Sequence, residues 1–154
     1  PIMTVQTILE KKASTVETVA PGVTLGEAIK MLAEKKIGAL IVSDENNEIV
    51  GSFSERDVIS ALGVNPAEQV LSRPVREFMT DRVIVCERTS GVKAIIKSML
   101  EQHIRHLPVV SKDNKLEGIV SIGDVLKQRI VELKLGEETR FQHWFEQQGV
   151  RTLK

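Results

Sequence analysis

Charge of one sign is what this chain lacks most plainly: Lys plus Arg and Asp plus Glu each number 21, for a formal net charge of zero. No long basic run exists to neutralise a phosphate backbone, which argues against nucleic acid as a partner. Cysteine is almost missing: Cys86 is alone, so no internal disulfide can form, in keeping with a reducing compartment. No apolar run approaches bilayer length, and the opening PIMTVQTILEKK has neither the charged start nor the small-residue cleavage site of a signal peptide. The expectation is a soluble cytoplasmic protein without a membrane segment. Reaction chemistry is equally scarce. There is no G-x-S-x-G elbow or Ser-His-Asp order, and Cys86 falls on an apolar strand-like run where an inert buried thiol is expected. His103, His106 and Cys86 lack metal-ligand spacing, and His143 lies apart in the C-terminal tail. No G-x-G-x-x-G follows a strand, so NAD would be an effector rather than a Rossmann-held hydride carrier. The chain is not expected to be an enzyme, and no catalytic cofactor or metal is expected.

What is present is an internal duplication. EKKIGALIVSDENNEIVGSFSERDV, from Glu34 to Val58, falls without a gap on EQHIRHLPVVSKDNKLEGIVSIGDV, from Glu101 to Val125, an offset of 67. The matches include a polar motif, G-x-x-S-x-x-D: Gly51 with Gly118, Ser54 with Ser121, and Asp57 with Asp124. A unit of roughly 60 residues is marginally stable alone, so two copies sharing one core are expected.

Each copy has the same order of elements. TVETVAP, around Thr18 and Val19, reads as a short strand closed by Pro21 and Gly22. Thr24, with Glu27 three residues on, is a capping box for a helix whose Leu25, Ala28, Ile29 and Leu32 share one face. Ile37 to Val42 reads as a strand buried on both faces, and Asn46-Asn47 turns it into an antiparallel Glu48 to Phe53. Ser54 opens a last helix that Gly63 and Pro66 stop. In the second copy the strand is Val83 to Cys86, the helix face is Val92, Ile95, Ile96 and Met99, and the strand pair is Ile104 to Val110 with Leu116 to Ser121. Ser121 then opens the closing helix. Even the lead-ins agree, VQTIL at Val5 to Leu9 with VREFM at Val75 to Met79, here at an offset of 70. The organisation expected is 5–62 for the first unit, 63–74 as linker, 75–130 for the second, and a helical tail over 131–154. In that tail Phe141, Trp144 and Phe145 share one helical face, suited either to packing on its own domain or to contact with a second subunit.

This pattern, strand, helix, strand, strand, helix, twice over with IGALIV and IRHLPVV strands and GSFSERD and GIVSIGD endings, resembles a tandem pair of CBS domains, a Bateman module. It is most similar to the small stand-alone bacterial CBS-pair proteins. The resemblance implies an α/β fold of two β-α-β-β-α repeats packed with pseudo-twofold symmetry. It also implies an adenine nucleotide, such as AMP, ADP, ATP, NAD or S-adenosylmethionine, bound in clefts between the copies, in the manner of an energy or redox sensor. A homodimer and a regulated partner protein of unknown identity follow from the same likeness. By family position Asp57 and Asp124 would hold ribose hydroxyls, as a carboxylate that accepts hydrogen bonds and repels phosphate should. Ser54 and Ser121 would lie by the ribose-phosphate junction, where helix amides converge.

The same Ser-x-x-Asp spacing is also that of a helix-capping box, worth about 1 kcal/mol without any ligand, and the two roles are compatible. The copies differ where phosphate would sit. Arg56, a candidate phosphate contact or simply a solvated helix arginine, stands where the second copy has Gly123. Arg105 and His106, candidate phosphate contacts, stand where the first copy has Gly38 and Ala39, which would leave room for an adenine ring. Thr18, Val19, Ala39, Val85 and Pro108 are the expected adenine-pocket positions, each also a plausible core residue, the valines most of all. Two related clefts with unlike grips on phosphate are therefore expected. The competing reading is a ligand-free scaffold whose motifs are only helix caps.

Overall fold

The computed structural model describes residues 3–12, 16–132 and 146–153. The expected tail aromatics Phe141, Trp144 and Phe145, and His143 among them, lie outside the described residues. Four elements form the first copy's body. β1 (Thr18–Val19) runs parallel to β2 (Ala39–Ser43), which pairs antiparallel with β3 (Ile49–Ser54), and α2 (Leu25–Lys35) crosses between β1 and β2. α1 (Val5–Lys11) precedes this body; α3 (Glu55–Val64) follows it. α2 begins with the capping box expected from the sequence, Thr24 Oγ1 accepting from Glu27 N and Glu27 Oε2 from Thr24 N. Ala39, Leu40, Ile41 and Val42 are all buried, as a run apolar on both faces requires.

The second copy repeats the plan in α5 (Val92–Gln102), the β4 (His106–Val110) and β5 (Leu116–Ser121) hairpin, and α6 (Ile122–Glu132). Backbone irregularities recur at the offset of 67. Left-handed residues close α2 and α5 at Lys36 and His103, and turn the two hairpins at Asn47 and Asn114. The hairpin registers shift at Val42/Ser43 and at Val109/Val110.

Three expectations need correction. The strand expected over Val83 to Cys86 shrinks to one parallel bridge, Cys86 to Val109. Pro108 explains why: its counterpart Ile41 donates its N–H to Glu17 O at 3.2 Å, and proline has no N–H to give. Gly63 does not stop α3, which runs to Val64. The stop is at Asn65, whose side-chain amide donates back to Ala61 O at 2.9 Å, and at Pro66. The linker segment 63–74 forms α4 (Ala67–Val70) and leaves Val70 1% exposed.

The third correction concerns the core, which is not shared. One cluster holds Val19, Leu25, Ala28, Leu32, Leu40, Val42, Phe53, Ala61 and Val70, with Val75 from the second lead-in. The other holds Cys86, Val92, Ile95, Met99, Leu107, Val109, Val120 and Val125, with Val5 and Ile8 from the first lead-in. The lead-ins are thus exchanged: each copy's core is closed by the segment that precedes the other copy. Val5 and Val75 are both fully buried, worth about 1.5–3 kcal/mol apiece.

Matched backbone hydrogen bonds hold the exchange. Val5 N donates to Ser90 O, Gln6 N to Arg88 O and Val92 N to Met3 O; at equivalent positions Val75 N donates to Val23 O, Arg76 N to Pro21 O and Leu25 N to Arg73 O. The motif glycines are the sockets for the exchanged side chains. A Cβ on Gly51 would run into the Met79 thioether, 2.9 Å from Met79 Cγ, and one on Gly118 would lie 2.8 Å from Leu9 Cδ2. Glycine heads G-x-x-S-x-x-D for packing. Gly118→Ala is therefore expected to lower stability by roughly 1–3 kcal/mol through overpacking, and Leu9→Ala in the same chain to recover part of it. Urea unfolding of the two single variants and the double variant measures this, and strictly additive losses would refute the socket.

Candidate functional site

The two motif ends come close together where α3 and α6 begin. Register places Ala39 beside Ser54 and His106 beside Ser121, so each strand entry flanks its own Ser-x-x-Asp. Gly38 O accepts from Glu55 N, and Arg105 O from Ile122 N, at matching positions. The entries also meet each other. A Cβ on Gly38 would lie 2.8 Å from His106 Cε1 and 3.1 Å from Glu55 Oε1. The space that small Gly38 was expected to leave for an adenine ring is taken by the His106 imidazole, and Ala39 is buried.

Both aspartates cap their helices, in different ways. Asp124 Oδ2 accepts from Ser121 N at 2.9 Å while Ser121 Oγ accepts from Asp124 N at 3.1 Å, a complete reciprocal box. Asp57 Oδ2 accepts from Ser54 N at 2.8 Å and from the Ser54 hydroxyl at 3.1 Å. The exchanged lead-ins then complete each carboxylate. Thr80 donates its hydroxyl to Asp57 Oδ1 at 3.1 Å. Lys12 sets its ammonium 2.7 Å from Asp124 Oδ2 and 3.0 Å from Ile119 O.

Neither Lys12 nor Thr80 was found from the sequence. They lie far along the chain from the aspartates they touch, and only the exchange brings them there.

Electrostatics follow from this arrangement. Burial pushes the Asp124 carboxyl up, but the Lys12 ammonium and the Ser121 hydrogen bonds outweigh it and hold the pKa below the ordinary value. His106 is held below its ordinary value, first by burial and then by Lys12 and Arg105, with Glu55 and Asp124 opposing. Arg56 and Arg105 are exposed, and neither guanidinium has a hydrogen bond or ion pair among the described residues, so both forks can meet an anion.

The expected adenine positions scatter. Val19 joins the first core, Pro108 is buried with its carbonyl on Cys86 N, and Thr18 is exposed. Val85, 41% exposed, lines a concavity of about 420 Å³ at the hairpin-turn end with Ile49, Val83, Val110 and the acidic Glu48, Asp81 and Asp113. That acidic concavity lies away from the helix starts, and its carboxylates would repel phosphate. Cys86 is buried, and burial and Glu87 push its thiol up to about 11, which leaves it protonated at neutral pH. Among the described residues no group of three or more His, Cys, Asp or Glu could hold a metal ion, and no helix is long and apolar enough to cross a membrane.

The family model for the CBS domain matches the chain twice, over residues 7–64 and 75–130, and the chain belongs to that family as a tandem CBS pair. A crystal structure of a CBS-domain containing protein from Agrobacterium tumefaciens is 38% identical, covers 83% of this chain and 100% of its own, and superposes with a TM-score of 0.79. The CBS domain pair of protein MJ0100, in complex with 5′-methylthioadenosine and S-adenosyl-L-methionine, is 26% identical, covers 86% and 99%, and has a TM-score of 0.75. CBSX2 in complex with AMP, a protein of Arabidopsis thaliana, is 27% identical, covers 82% and 96%, and has a TM-score of 0.69. By contrast, the chain spans 66%, 56% and 32% of the length of three curated relatives it matches.

The lowered His106 value carries a pH dependence. A histidine whose folded pKa is depressed contributes stability that is complete above its unfolded value and is lost as pH falls through that value and below. His106→Gln is therefore expected to flatten the decline in melting temperature between pH 7 and pH 5. A variant that declines as steeply as the parent would contradict this.

Proposed function

We propose that this CBS pair is a regulatory module that binds an adenine nucleotide of the AMP, ADP, ATP or NAD type at the helix-start cluster. The observation that carries the reading is the doubled carboxylate, Asp57 and Asp124, each at the start of a helix, with His106 and the open Arg105 fork beside Asp124. A carboxylate there suits a ribose diol, and helix amides with a guanidinium suit phosphate. The adenine ligands of MJ0100 and CBSX2, proteins of this same fold, support it. Ligand beside either aspartate touches the helix start of one copy and the lead-in exchanged from the other, so it can favour one relative packing over another, and that difference in affinity would be the signal.

Isothermal titration calorimetry of Asp57→Ala and Asp124→Ala against AMP, ATP and NAD tests the assignment. At least one variant is expected to lose tenfold or more in affinity, and unchanged binding in both would end it.

A scaffold reading has one observation in its favour, that both motifs are already spent on capping their helices. Melting with a nucleotide panel separates the two. A ligand at 100 times its dissociation constant should add roughly 2.7 kcal/mol, and a scaffold should show no shift.

We propose a homodimer as well. Ile59 and Leu126, and Val64 and Val131, are exposed apolar pairs at the repeat offset on α3 and α6, with Ile59 71% and Val64 82% exposed. A second copy is the occupant that matches such a duplicated surface. Ile59→Glu, at a position outside the core, is expected to give a folded monomer by sedimentation, and a dimer that persists would place the interface elsewhere.

A further inference from the structure

The two aspartates differ in what reaches them from the exchanged lead-ins. Asp57 receives a neutral donor, the Thr80 hydroxyl at 3.1 Å, while Asp124 receives the Lys12 ammonium at 2.7 Å. Lys12 is held a second time, by Ile119 O at 3.0 Å. In the first copy the equivalent carbonyl, that of Ser52, is satisfied by the backbone N–H of Thr80 at 2.8 Å. The reason lies in the lead-ins themselves. After the turn at Val75–Glu77 the chain extends and Thr80 pairs with Ser52, whereas α1 stays helical to Lys11 and, among the described residues, no lead-in backbone N–H reaches Ile119 O. The Lys12 side chain supplies the missing donor and, in doing so, lands on Asp124. Its counterpart at the lead-in offset of 70, Arg82, is exposed.

We propose that Lys12 is a built-in occupant of the diol acceptor at Asp124 and so the residue that ranks the two clefts, leaving Asp57 as the stronger site for a ribose diol. A hydroxyl such as that of Thr80 can both donate and accept, so it can remain beside an incoming diol; an ammonium only donates. A charge-assisted hydrogen bond is also roughly twice as strong as a neutral one, so the diol loses more in displacing Lys12 than in joining Thr80. Both side chains of the ion pair are about three-quarters buried, which limits screening by solvent. The proposal rests on the reading of Asp57 and Asp124 as ribose contacts.

Adenosine is the probe of choice, because it is neutral and its binding does not respond to the loss of a positive charge as that of AMP would. By calorimetry the parent is expected to bind adenosine at one site that Asp57→Ala removes. Lys12→Met is expected to add a second site, or to tighten the weaker one roughly ten- to a hundredfold, while Lys12→Arg behaves as the parent. In the reverse direction, Thr80→Lys is expected to weaken the Asp57 site tenfold or more, and it stands as the test if Lys12→Met does not fold, as judged by circular dichroism. Parent binding with neither Lys12→Met nor Thr80→Lys altering it overturns the proposal and leaves the nucleotide reading intact. Adenosine binding in neither parent nor Lys12→Met also overturns it; AMP titrated in parallel then shows whether the nucleotide reading falls too.

Discussion

Exchange of the two lead-ins is the constraint on which the rest of this molecule depends. Each repeat offers a sheet and two helices whose apolar surface is left unfinished, and each is finished by a valine from the segment before the other repeat. A half of this size alone would be marginal. Tied this way, the halves retain separate cores yet each depends on the other to close its own, and the pseudo-twofold relation follows from two equivalent sockets, Gly51 and Gly118, receiving two equivalent knobs. The duplicated glycine, which reads in the sequence as part of a polar motif, serves this mechanical role.

The exchange also builds the chemistry. Ser-x-x-Asp needs only its own helix to form, but what stands opposite each carboxylate comes from the crossing segment. A small difference between the lead-ins, a longer helix in one and an extended stretch in the other, becomes a difference in charge at two otherwise matched aspartates. The inequalities of Arg56 against Gly123 and Gly38-Ala39 against Arg105-His106 are joined by a third, Thr80 on Asp57 against Lys12 on Asp124.

Local structure was legible because it is written locally. The Thr24 and Glu27 capping box, the buried run of β2, the Asn-centred hairpins and the bounds of β5 each depend on residues a few positions apart. The lost strand at Val83 to Cys86 was within reach, since Pro108 advertises a missing donor, but only once it is known which strand needs it. The crossing of the lead-ins was not legible. Their likeness at an offset of 70 shows that they are equivalent, and equivalence does not say which repeat each one serves. His106 filling the space at Gly38, and Lys12 on Asp124, are consequences of that crossing and shared its obscurity.

The exchanged arrangement places a demand on the order of synthesis. Val5 and Ile8 precede the first repeat, yet their partners run from Cys86 to Val125. As the chain emerges, the first repeat can gather its strands and α2, but its core waits for Val75 and α1 waits far longer, with nothing to bury against until the second hairpin and α6 exist. Contacts of such sequence separation form slowly and leave apolar surface open in the meantime. The charged positions of α1, Glu10 and Lys11, which are exposed in the finished protein, then have an earlier use: they would keep a waiting helix soluble until its socket has been made.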